Sequence, residues 1–314
     1  FTSGVFVPTR ANKQKATYII IMKKTEKKTA TKKRAAKQKP EKMDESVSIS
    51  CEQPIECVFA DMSERLMRIQ RDLLMPAFIM EQEGIQNTIT MFGSARIKPE
   101  AVALENLEAA KKRANTKEGR ENLERAKMAY EMSKYYTAAE ELARRIQEWS
   151  NCLEVPGDQK YYIMTGGGPG IMEAANKGAF MAGGKTVGAT IFIPDEQRRN
   201  KYVDKGVWMN FHYFLMRKFW LLFFAKALVV FPGGTGTFDE FFEVFTLMKT
   251  RKTANYIATV LFGRKYWEKV VDFNYMVKTD VITKKDLDFF IFADTVDEAY
   301  NFITSSLEKN ISKK

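Results

Sequence analysis

The chain has 314 residues, 45% of them apolar, the composition of a globular protein that can bury a sizeable core, and it carries a formal net charge of +11. That charge suggests a polyanionic partner until it is placed along the chain. Residues 1–22 contribute +3 and residues 23–42 contribute +8, which leaves 37 basic and 37 acidic residues over 43–314. A folded part that is neutral overall has no basic field to gather nucleic acid.

The stretch "KKTEKKTATKKRAAKQKPEK" is poor in aromatics and rich in like charge, so it cannot bury enough surface to offset its chain entropy and is expected to be disordered. We read it as a solubilising extension, with at most weak nucleic-acid contact, rather than as an arm for nucleic acid or anionic membrane. The chain opens on Phe1, and Met22, at the head of the basic run, is a candidate start. "ATYIII" is too short for the apolar region of a signal peptide, and a Lys-rich run is unlike an Arg/Ser-rich transit peptide. No apolar run reaches membrane-spanning length, so a soluble, cytoplasmic protein is expected. Cys51, Cys57 and Cys152 lack CxxC spacing, and His212 is the only histidine. Those counts argue against a disulfide framework, a zinc site and HExxH, and neither a metal nor a cofactor is expected.

In chain order, residues 52–83 read as one or two helices, with Leu66, Ile69, Leu73 and Leu74 at helical spacing and a stop near Gly84. "TITMFGSAR" (88–96) is a strand entering a tight turn at Gly93, and 99–150 suits two charged helices broken near Gly119. "KYYIMTGGGPG" (160–170) is a strand followed by glycines, then the helical "IMEAANKGAFMAG". "TVGATIFI" (186–193) is a strand, "FHYFLMRKFWLLFFAK" (211–226) a mostly apolar helix and "ALVVFPGGTGT" (227–237) a strand running into glycines. The helix "DEFFEVFTLMKT" and the strands "YIATVLF" (256–262) and "FFIFADT" (289–295) complete the series. Short apolar strands alternating with helices predict a single α/β domain with a doubly wound parallel sheet, whose ligand sits at the carboxyl ends of the strands.

Two phosphate motifs fail on spacing. "GKT" at 184–186 lacks the earlier glycine of a Walker A loop and leads into a strand, while Gly168 and Gly234 open G-x-G pairs that lack a third glycine. "PGGTGTFDE" (232–240) still has the parts of an anion site. Glycines let backbone N–H groups approach an anion, and a helix expected to start at about Thr237 would aim its positive end at the same place. Thr237 could instead be a plain helix cap, and Asp239 and Glu240, read as first-turn residues, could simply suit the dipole. The glycine density immediately before them is more than a dipole requires.

"TGGGPGIMEAANKGA" (165–179), "MRK" (216–218) and "PGGTGTFDE" (232–240), in that order, resemble the LOG ("lonely guy") family of nucleoside-monophosphate phosphoribohydrolases, often labelled lysine decarboxylases. That family's signature is an Arg-Lys pair followed by PGGxGTxxE, and here Arg217 precedes Glu240 by 23 residues. "FGSAR" (92–96) matches its first glycine turn, and the helical inserts look like its longer bacterial type. The resemblance covers about 86–306. With it the chain divides into a disordered basic tail (1–45), an N-terminal helical segment (46–85), a Rossmann-like nucleotide-hydrolase domain (86–308) and a C-terminal tail (309–314).

The resemblance implies hydrolysis of the N-glycosidic bond of a purine nucleoside 5′-monophosphate, with N6-modified adenine among the candidate bases, giving free base and ribose 5-phosphate. It implies Glu240 as the catalytic carboxylate and Arg217 as its partner. Gly233, Gly234, Gly236 and Thr237 would cradle the phosphate. Gly93, Ser94, Gly167, Gly168 and Gly170 would line the nucleoside side, with Met172 and Glu173 close by, and Lys218 would contact substrate or stay solvated. A homodimer or larger homo-oligomer is implied too, which the all-round apolar "FWLLFF" (219–224) suits. Relatives on the same scaffold that bind nucleotides or molybdenum cofactor without hydrolysis are the alternative. The decarboxylase label is discounted, because no glycine turn supplies a Schiff-base lysine. His212, among aromatics, is read as a packed residue, and Glu243 as either a lining acid or half of a helix pair.

Overall fold

The computed structural model describes residues 55–192, 199–253 and 256–311; the basic tail predicted over 1–45 lies outside them. Seven strands form one sheet, every pair parallel: β1 (Asn87–Phe92), β2 (Tyr161–Thr165), β3 (Thr186–Ile191), β4 (Trp208–Phe211), β5 (Ala225–Val230), β6 (Ala258–Phe262) and β7 (Phe290–Ala293). Their order is β4-β3-β2-β1-β5-β6-β7. The chain winds outward from β1 to one edge, then returns to β1's other side and winds to the opposite edge. This is a Rossmann-like doubly wound sheet, and it opens a crevice at the carboxyl ends of β1, β2 and β5, where the winding reverses.

The central strands are apolar on both faces because helices cover both. One face packs under α3 (Lys117–Cys152), α4 (Ile171–Met181) and α9 (Val296–Ile311), with Ile89, Met91, Leu142, Ile146, Ile163, Val229 and Ile303 in its core. The other packs under α1 (Ile55–Gln82), α5 (Phe214–Phe223), α6 (Thr235–Lys249), α7 (Arg264–Val270) and α8 (Phe273–Lys278), around Phe92, Met164, Trp220, Leu228, Phe241 and Trp267. A short α2 (Glu100–Lys112) precedes α3. Among the described residues no helix is long and apolar enough to cross a membrane.

Several boundaries differ from the sequence reading, for local reasons. The N-terminal segment, read as one or two helices, is one helix with Pro76 inside it. Proline has no N–H for the carbonyl four residues back, and that carbonyl, on Asp72, instead accepts the indole N–H of Trp220 at 3.1 Å. The break between α2 and α3 precedes Gly119, because Thr116 caps α3 by accepting the Gly119 N–H at 3.0 Å. The predicted helix over 211–226 is shorter, and strand β4, four residues with alternating burial, precedes it unforeseen. That helix is not buried on all sides: Trp220 and Leu221 are fully covered, while Phe214, Leu215, Phe219 and Phe223 are exposed. Helix α6 starts at Thr235 rather than about Thr237, with Gly234 at its cap position and no side-chain cap. Asp239 and Glu240 therefore fall beyond the first turn, and the dipole does not account for them.

Candidate active site

Three glycine turns meet at the carboxyl ends of β1, β2 and β5, and backbone hydrogen bonds join them. The Ser94 N–H donates to the Pro232 carbonyl at 3.0 Å, and the Ile171 N–H donates to the Ser94 carbonyl at 3.1 Å. The turns pack so closely that a Cβ at Gly170, where φ is +71°, would run into the Ser94 carbonyl. No L side chain suits that place.

Between the turns lies a cleft of about 560 Å³, lined on one side by Gly93, Ser94 and Arg96 and on the other by Gly234, Gly236, Thr237 and Glu240. Arg217 and Phe214 reach it from α5, and Met172 from the start of α4. A Cβ at Gly234 or Gly236 would meet nothing within 4 Å, so the fold itself does not require glycine at either place. Gly234, Thr235, Gly236 and Thr237 at the start of α6 line this space, and no side chain caps the helix there. Thr237 is buried against Gly233 and is not the cap.

Arg217 Nη2 donates to Glu240 Oε1 at 2.8 Å, with the two side chains only 13% and 11% exposed. Burial pushes the Glu240 carboxyl up, Arg217 and Lys218 oppose the rise, Asp239 and Glu243 add to it, and the result is about 7 against an ordinary 4.5. The Arg217 guanidinium stacks over Phe214, 5.0 Å from the ring centroid. Its Nε is buried with no hydrogen-bond partner among the described residues. The cleft thus holds a carboxyl poised near neutrality beside a fixed guanidinium with a donor to spare.

Lys218 is turned away from the cleft. It pairs with Asp239 at 3.1 Å and Glu243 at 2.9 Å on α6. Burial pulls its ammonium down, but hydrogen bonds to Glu243 and Asp239 outweigh that and leave it raised. Glu243 is accordingly half of an interhelix pair and does not line the cleft. Glu173 also faces elsewhere, toward Tyr136 on α3, whose phenol is pushed up first by burial and then by Glu173 and Glu140. Gly167, Gly168 and Gly170 shape the second turn from behind: Gly167 N–H donates to Thr165 Oγ1 at 2.9 Å, and the Gly168 carbonyl accepts Asn200 Nδ2 at 3.0 Å. Gly166 is the turn's lining residue. Gly233 lies on an adjoining groove, and its carbonyl accepts the Tyr266 hydroxyl at 2.5 Å.

Sequence reasoning did not single out Arg96, Thr235, Ile191 or Phe214, all of which line the cleft. Arg96 had the clearest signal, as the last residue of "FGSAR". His212 lies outside the cleft with its Nδ1 3.2 Å from Asp72 Oδ1, and it is exposed rather than packed in a core as the sequence suggested.

Residues 172–303 match the family described as "Possible lysine decarboxylase", which bears out the resemblance drawn from the motifs. No curated protein matches the chain. Among solved structures it is similar to TM1055, a structural-genomics target, at 19% identity over 70% of this chain and 99% of that one, with a TM-score of 0.40. It is also similar to the Moco carrier protein from Chlamydomonas reinhardtii, at 19% identity over 71% of this chain and 99% of that one, with a TM-score of 0.40.

Proposed function

We propose that the chain hydrolyses the N-glycosidic bond of a purine nucleoside 5′-monophosphate, releasing free base and ribose 5-phosphate. The observation that carries this reading is the buried Arg217–Glu240 pair in a cleft that the uncapped start of α6 also lines. The phosphate would sit at Gly234, Thr235, Gly236 and Thr237, where amides and helix dipole favour an anion. Cleavage builds positive charge at the ribose C1′, and the Glu240 carboxylate would stabilise that charge, orient the ribose hydroxyls or take a proton from the attacking water. Arg217 would hold Glu240 in place through its Nη2. Gly93, Ser94 and Met172, which line the cleft, would bound the nucleoside.

The decarboxylase description implies pyridoxal phosphate, and the residues present do not fit that group. None of the cleft's lining residues is a lysine, and nearby Lys218 is held by two carboxylates. The second reading is a non-catalytic carrier of a nucleotide or of molybdenum cofactor; the uncapped helix start suits a phosphate in either case. We favour hydrolysis because the cleft holds a buried carboxyl paired with a guanidinium, a pair that phosphate binding alone does not call for. Incubation with AMP, GMP, CMP, isopentenyladenosine monophosphate and the matching nucleosides separates the two. Base release from a monophosphate but not its nucleoside supports the enzyme, whereas tight binding without release supports the carrier.

The exposed apolar residues of α5, together with Leu66, Met67, Leu73, Leu74 and Phe78 of α1, suit a homo-oligomer, with Phe214 placing that surface beside the cleft. Light scattering that gave a monomer at micromolar concentration would remove this part of the proposal.

A further inference from the structure

Asp72, on α1, is a buried carboxylate that the reaction above does not use. Its side chain is 1% exposed, and a carboxylate taken out of water is stable only when donors surround it. Here Oδ2 accepts the backbone N–H groups of His212 at 2.7 Å and Tyr213 at 3.2 Å, and Oδ1 faces His212 Nδ1 at 3.2 Å. Tyr213 is the cap residue just before α5, and no side chain of its own caps that helix. Asp72 serves as the cap from another helix, with its negative charge at the positive end of α5. One turn on, the Arg217 N–H donates to the Tyr213 carbonyl at 3.1 Å. The Asp72 carbonyl, left without an in-helix donor by Pro76, also accepts Trp220 Nε1 at 3.1 Å. One residue of α1 thus grips α5 both before and after Arg217.

We propose that Asp72 is a positioning residue, which fixes the start of α5 and so brings the Arg217 guanidinium to Glu240. The cleft then depends on a helix that lies ahead of the segment matched by the family. The inference rests on Arg217 and Glu240 working as a pair in hydrolysis, but part of its test does not.

The test uses Asp72→Ala and the near-isosteric Asp72→Asn in the full chain, each also combined with Arg217→Ala. The Glu240 carboxyl is titrated by carbon-13 NMR, which needs no activity, alongside kcat and KM on AMP. Arg217 holds the Glu240 carboxyl down, so its displacement raises the midpoint. The expected result is a midpoint shifted upward by Asp72→Ala, less by Asp72→Asn, and not shifted further when Arg217 is already alanine. With it, kcat falls on the order of 100-fold, the cost of misplacing a catalytic group by about 1 Å. A variant that folds with an unchanged Glu240 midpoint overturns the proposal, as does an equal loss in both Arg217 backgrounds, which marks a purely structural contact. If Asp72→Ala does not fold, Asp72→Asn decides alone, by the same midpoint. If the wild type releases no base, the hydrolytic reading fails while the titration still decides the role of Asp72.

Discussion

Glu240→Gln removes a titratable charge from the cleft with almost no change in shape, so its effect on stability should depend strongly on pH. A carboxyl raised from 4.5 to about 7 is harder to ionise in the fold than in the unfolded chain. At about 1.4 kcal/mol for each tenfold change, that difference is about 3 kcal/mol. The folded state holds its proton more tightly, so the stabilisation is fully present below pH 4.5 and is lost as pH rises through about 7. The glutamine variant cannot titrate and loses nothing over this window. Urea unfolding of both proteins at pH 4.5, 5.5, 6.5 and 8 measures the difference. The expected result is a gap that changes by about 3 kcal/mol in favour of Glu240→Gln from the lowest pH to the highest. Parallel stability curves would refute the reasoning, because they would mean that Glu240 ionises as readily in the fold as in water.

Four further outcomes follow from the same geometry. With the carboxylate as the working form, kcat/KM on AMP should rise through about pH 7, falling about tenfold per pH unit below it, and a flat profile from pH 5.5 to 8 would exclude that role. Gly236→Ala puts a methyl group into open space inside α6, so thermal unfolding should show a fold stabilised by about 0.5–1 kcal/mol. Calorimetry should show AMP binding weakened about tenfold or more in that variant, if the phosphate approaches there. Gly170→Ala should cost at least about 2 kcal/mol in unfolding experiments, because left-handed backbone and a clash with the Ser94 carbonyl coincide.

The framework of the site was readable because glycines that follow apolar runs mark both the end of a strand and a place where backbone meets ligand. That pattern located Gly93, the 166–170 turn and Gly233 to Gly236, and the parallel sheet then joined them at one edge. Arg217 was not readable from periodicity, since an arginine on an apolar helix is ordinary; only the motif order singled it out. Neighbours in sequence were harder to sort. Consecutive helical residues point about 100° apart, so Lys218 faces away where Arg217 faces in, and Asp239 away where Glu240 faces in. Met172 and Glu173 divide in the same way. Strand β4 was missed because its four residues lie beside a longer apolar helix, whose pattern masked their alternation. The grip of Asp72 on α5 spans 140 residues of sequence and leaves no local trace.

The central claim is that Glu240 and Arg217 break a glycosidic bond, and product analysis of AMP incubated with the wild type, Glu240→Gln and Arg217→Ala tests it most directly. The account predicts adenine and ribose 5-phosphate in equal amounts from the wild type, with release lowered at least about 100-fold in both folded variants. Undiminished release from Glu240→Gln, or AMP that stays bound and intact in the wild type, would contradict it.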